Sequence, residues 1–168
     1  MKRSLLFFIL GAILPLASGF LFVTLGGMPV ATQGNPLPLE RFLAKSALRA
    51  AMRAEIDIKS PIADDEINLR AGAKVYSAQC AVCHGYTNEP PTAIAMGMFP
   101  PPPQLLPPKK GVTDDPIGEI YWKVKNGIRL TGMPGFVKGL SDTELWQVSL
   151  FLLKADQLPA GTLETIRK

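Results

Sequence analysis

In 168 residues the chain has one histidine, His84, and two cysteines, Cys80 and Cys83. A zinc centre would need further Cys or His ligands, and the sequence has none to offer. A thioredoxin-like dithiol would sit beside a βαβ pattern, and none is visible. A basic excess is also missing where nucleic-acid binding would need it. Residues 60–168 carry eleven Lys/Arg against eleven Asp/Glu, whereas residues 1–59 carry seven against three, so the net charge of +4 belongs to the N-terminal part. Phosphate backbones require clustered cationic surface, and this distribution argues against a nucleic-acid partner.

Proline and glycine are plentiful, at sixteen and fifteen. They fall mostly outside the helical stretches, which predicts a small helical domain with long wrapped loops around something that supplies part of its core. The scarce residues themselves form one motif, Cys80-Ala81-Val82-Cys83-His84. Two cysteines three apart with histidine directly after the second have the spacing of a c-type haem attachment site. Each thiol can add across one haem vinyl group to form a thioether, and His84 is then aimed at the iron as an axial ligand. A structural disulfide or a redox dithiol is the plainer alternative for the cysteine pair.

Lys2 and Arg3 precede an apolar run from Leu5 to about Val30, long enough to cross a hydrocarbon core of ~30 Å with tilt. The leading charges predict a cytoplasmic N-terminus and an external remainder. A cleaved signal peptide is the rival, with Pro15, Ala17 and Gly19 as a passable cleavage region, but Phe20 to Leu25 continues the apolar run past it. After a Pro/Asn/Gly connector, Leu39 to about Ile58 predicts a helix with Arg41, Lys45, Arg49 and Arg53 recurring every fourth residue. Such a stripe suits anionic headgroups, a partner subunit or plain solvent.

Asp64, Asp65 and Glu66 place negative charge at the start of a helix expected to run to Cys80. Gly72 within it predicts a close approach by a crossing helix, with Trp146 or Leu150 packed over it. Beyond Gly85 an irregular stretch is expected to about Thr113. It includes Pro100 to Pro103, read as a stiff wall whose Pro103 carbonyl accepts the second ring N–H of His84. Thr113 and Pro116 predict the start of a helix that Asn126-Gly127 ends. Met133, between Gly132 and Pro134 and outside any helical stripe, is the candidate thioether ligand opposite His84, with Met98 and Met96 as fallbacks. An ordinary core methionine is the alternative. Ser141 to Glu144 reads as a capping box opening a last helix through Trp146 to about Ala155.

From about Asp64 to Leu158 the chain resembles the class I c-type cytochromes. The residues that carry the likeness are Gly72 and Tyr76, Cys80-Ala81-Val82-Cys83-His84-Gly85, Pro103 and Leu105, Asn126-Gly127, Gly132-Met133-Pro134 with Phe136, and Glu144-Leu145-Trp146. The resemblance implies an all-α cytochrome c-like fold with crossed first and last helices, and one low-spin, covalently held haem c. It implies one-electron transfer rather than enzymatic chemistry, and it supports Pro103 as the carbonyl partner. The regions expected are a membrane anchor or signal peptide at 1–32, a linker with a basic helix at 33–59, a haem domain at 60–160 and a tail at 161–168. The N-terminal part is similar to that of membrane-bound monohaem cytochromes of respiratory complexes. Redox proteins or complex subunits are then the expected partners, at the bacterial cytoplasmic membrane with the haem domain on the periplasmic side. A haem enzyme or gas sensor with an exchangeable sixth ligand is the functional alternative.

Overall fold

A computed structural model describes residues 2–87, 89–106 and 113–166, which contain helices and no strands. The irregular stretch expected before Thr113 falls outside the described residues at 88 and 107–112, as does the end of the expected tail at 167–168. The chain divides into two compact units, Met1–Arg41 and Phe42–Lys168.

The first unit is dominated by α1 (Lys2–Thr24). Its stretch Phe7–Thr24 is long and apolar enough to cross a membrane, and none of it is buried. Helix α2 (Glu40–Met52) straddles the two units. It is shorter than the sequence suggests. Past Met52 the chain turns through Glu55 N to Met52 O at 2.9 Å and Ile58 N to Glu55 O at 3.3 Å. These i to i−3 bonds tighten the end of the helix. The carbonyls of Glu55 and Ile56 are thereby laid on Gly118 of α6 (Ile117–Asn126), where a Cβ would collide with them.

Within the second unit, α3 (Glu66–Val75) opens on Asp65, whose carboxylate accepts from Asn68 N at 2.9 Å. Glu66 follows in the first turn, where the helix dipole favours negative charge. The helix was expected to run unbroken to Cys80. Instead Tyr76–Cys80 forms a π-helical turn, closed by Ala81 N bonding to Tyr76 O, before α4 (Ala81–His84). Helix α3 packs against α7 (Asp142–Leu153). At their contact Gly72 meets the carbonyl of Gln147 and the Cβ of Phe151, and a side chain on residue 72 would overlap both. This corrects the expectation of Trp146 or Leu150. The ridge that crosses Gly72 is the i, i+4 pair Gln147 and Phe151, and Gln147 Nε2 also donates to Asn68 Oδ1 at 3.0 Å. Trp146 points elsewhere, stacked on Tyr121 of α6 at 3.9 Å between ring centroids.

The start of α6 also differs from expectation. Thr113 does not cap it. The helix begins after Pro116, whose carbonyl accepts from Glu119 N at 2.9 Å, and Asp115 pairs with Lys123 at 3.2 Å. Ser141 and Glu144 do form the reciprocal box at the start of α7, with Glu144 N to Ser141 Oγ at 3.3 Å and Ser141 N to Glu144 Oε2 at 2.8 Å. Nearly every residue of α7 from Leu145 to Leu152 is buried, which makes it the central helix of the core. Part of the expected tail is a further helix, α8 (Ala160–Ile166), packed on α3 with Thr162 buried. The short α5 (Ala93–Met96) completes the set.

Candidate functional site

Immediately after the π turn, α4 carries Ala81-Val82-Cys83-His84, so Cys80, Cys83 and His84 all line one cavity. The cavity has about 140 Å³ of accessible space and opens to solvent. Its other lining comes from Pro100 to Pro103, Val124, Leu152 and the loop from Ile128 to Pro134, including Met133. Among the sequence candidates, Cys80, Cys83, His84, Pro103, Met133 and Met98 meet here, whereas Met96 is 68 % exposed and does not line the cavity.

His84 Nδ1 lies 2.7 Å from the carbonyl oxygen of Pro103. A carbonyl only accepts, so Nδ1 carries the proton and donates it. Burial pushes the imidazole pKa down, with the Pro103 bond working the other way. The ring is therefore neutral, and the lone pair of Nε2 is left without a proton.

Two neighbours hold the adjoining backbone. Tyr76 OH donates to the Gly85 carbonyl at 2.7 Å, and Gln104 Nε2 donates to the Tyr86 carbonyl at 2.7 Å. Residues 84, 85 and 86 are thus each tied, in turn, to Pro103, Tyr76 and Gln104. Burial raises the Tyr76 phenol pKa, with charge on Cys80 and Tyr86 adding to it, so Tyr76 stays a donor. Gln104 and Tyr76 carried no site role in the sequence reading.

Cys80 and Cys83 are not bonded to each other. Burial pushes the Cys80 thiol up to about 12, with Cys83 adding a smaller effect. A thiol this reluctant to ionise is a poor nucleophile at neutral pH, unlike the depressed thiols of redox dithiols.

The loop that carries Met133 is closed on itself. Thr131 Oγ1 donates to the Ile128 carbonyl at 2.7 Å and accepts from Met133 N at 3.1 Å, while Ile128 N donates to the Met133 carbonyl at 3.2 Å. Phe136 N and Val137 N then bond to the carbonyls of Val124 and Lys125, at 3.1 and 3.2 Å, fastening the loop to α6. Gly127, at φ +67°, makes the turn possible, because a Cβ there would strike the backbone of Pro134 and Gly135. The methyl of Met98 packs against the Cα of Gly132.

This donor set fits an iron porphyrin: two thiols, one imidazole with a free Nε2 and thioether sulfur, around a largely apolar cavity. The helical fold and this site define a c-type cytochrome domain. A protein-family model described as "Cytochrome C oxidase, cbb3-type, subunit III" matches residues 67–152, just over half of the chain, and the chain belongs to that family. Membership implies haem c and haem-based electron transfer. Neither a curated protein nor a solved structure matches the chain.

Proposed function

We propose that the chain is a monohaem class I cytochrome working as a one-electron carrier rather than an enzyme. Cys80 and Cys83 would hold the cofactor as thioethers, and His84 and Met133 would ligate its iron. Bound there, haem c supplies a reversible one-electron couple. The chain's own residues do the rest. His84 presents Nε2 while Pro103 fixes its ring, the closed loop from Ile128 to Met133 presents the second ligand, and the apolar lining keeps water away. A filled sixth position suits a carrier, because coordination then stays constant between oxidation states. Helix α1 would anchor the chain in the bacterial cytoplasmic membrane, with Phe42–Lys168 on the periplasmic side. The partners would be redox proteins or the subunits of a respiratory oxidase complex, in keeping with the family's description.

The observation that carries this reading is the convergence of the chain's one histidine, both cysteines and Met133 on a single apolar cavity. A pyridine haemochrome spectrum of purified chain tests the cofactor and its covalent attachment, and colourless protein with two free thiols would refute it. A thioether–iron band at the red end of the visible spectrum, with no rapid carbon monoxide binding by the reduced form, is expected of the His/Met pair. Rapid carbon monoxide binding would favour an exchangeable sixth site.

A further inference from the structure

Helix α2 is a helix that the fold barely covers. Met52, 2 % exposed, is its one buried residue, and Leu48, a turn earlier, is half-buried on the same side. On the far side Phe42 and Leu43 are 67 % and 60 % exposed, and Ser46 and Ala50 continue that side at helical spacing. Along its edge Lys45 and Arg49, with Arg53 just past its end, recur every fourth residue, all exposed, and none takes part in an ion pair among the described residues. A helix of 13 residues with so little tertiary support is marginal in water.

We propose that this outer side of α2 lies on an anionic lipid bilayer, with Lys45, Arg49 and Arg53 at the headgroups and Phe42 and Leu43 in the interface. The proposal rests on the anchor reading of α1. Three features favour lipid over other occupants. The exposed charge is of one sign and matches a surface of phosphate groups. The apolar contribution is two side chains, too little for a stable protein–protein contact but in proportion for an interfacial helix. Residues 25–39, which join α1 to α2, can extend no further than about 50 Å. A bilayer holding α1 is therefore always within reach, and a tethered contact needs little intrinsic affinity.

The test uses full-length, haem-loaded chain with a nitroxide on Ser46→Cys, in vesicles of phosphatidylcholine alone or with phosphatidylglycerol. Unmutated chain treated with the same reagent is the background control, and a label on Lys74→Cys of α3 reports general occlusion. The expected result is loss of collisions with an aqueous nickel chelate, and gain of collisions with oxygen, at position 46 only and only with phosphatidylglycerol. Each of K45Q, R49Q and R53Q should lower the ratio of lipid-bound to free α2 about fivefold, with high salt acting in the same direction. A label equally water-accessible in both vesicles overturns the proposal, and is what a protein partner for this side would give. A label equally buried in both also overturns it, since charge would then have no part. The anchor is read separately, by flotation with neutral vesicles. Should it fail there, flotation and label burial confined to anionic vesicles would still support α2, and their absence would reject it.

Discussion

The carbonyl oxygen of Pro103 and Nδ1 of His84 lie 2.7 Å apart, and the next residue, Gln104, reaches back to the Tyr86 carbonyl at the same distance. The wall segment therefore holds the His84 ring through Pro103 and the Tyr86 backbone through Gln104, and Gln104 acts as a positioning residue for the imidazole. In haem-loaded chain Gln104→Leu should cost about 1 kcal/mol of stability. It should also raise the reduction potential, because a looser Nδ1–H bond leaves the ring less basic toward oxidised iron. Redox titration checks this. An unchanged potential would mean Pro103 holds His84 without help.

Met133 and Met98 both line the cavity, but their settings differ. Met133 sits in a hydrogen-bonded loop, while the Met98 methyl is used up against Gly132. Met133→Ala should leave haem covalently attached, abolish the thioether–iron band and lower the potential strongly. Met98→Ala should keep the band. The reverse pattern would exchange the two assignments.

Gly72 faces backbone rather than a flexible side chain on α7. Gly72→Ala must push the two helices apart, at a cost of about 2–3 kcal/mol and a fall in melting temperature of roughly 10 °C. Thermal unfolding followed by circular dichroism measures it. A neutral substitution would show that the contact is looser than described.

The Glu144 pKa is held below the ordinary carboxylate value by its hydrogen bonds to the Ser141 hydroxyl and backbone N–H. A depressed folded-state value means the folded protein binds the proton less readily than the unfolded chain. The stabilisation is therefore complete above the ordinary value of about 4.3 and is lost as pH falls through the lower folded value. Denaturation midpoints of the chain and of Glu144→Gln should differ at neutral pH and converge on acidification. Parallel curves would place the acid sensitivity elsewhere.

Met1–Arg41 and Phe42–Lys168 are separate compact units, and every candidate site residue lies in the second. Deleting residues 1–32 and supplying a cleavable signal should yield a soluble, haem-loaded domain, checked by gel filtration and visible spectrum. Aggregation would show that the domain depends on its membrane neighbour.

Features governed by short-range chemistry were legible in the sequence. The box at Ser141 and Glu144 and the turn at Asn126-Gly127 each depend on a few adjacent residues, and each is where local rules put it. Features decided by tertiary contact were not. Which residues cross Gly72 depends on the rotation of α7, and the turn that ends α2 after Met52 sets its carbonyls on Gly118, far along the chain. Gln104 escaped notice because its partner, Tyr86, is 18 residues away and offers only a backbone oxygen. The proline run together with the family resemblance pointed to the Pro103 carbonyl as partner of His84, and the fold places that oxygen 2.7 Å from Nδ1.

The π turn from Tyr76 to Cys80 has a consequence for how this domain can change over generations. A wide turn takes up one residue more than the α pitch allows, so it works as a phase coupling between the helix that docks on α7 and the sulfurs that face the cavity. Shortening Tyr76–Cys80 by a single residue would restore a regular helix in nearly the same phase, whereas the same deletion within α3 would turn both cysteines by about 100° relative to the face that docks on α7. Single-residue deletions should accordingly be tolerated in the wrapped loops and within this turn before they are tolerated in α3 itself.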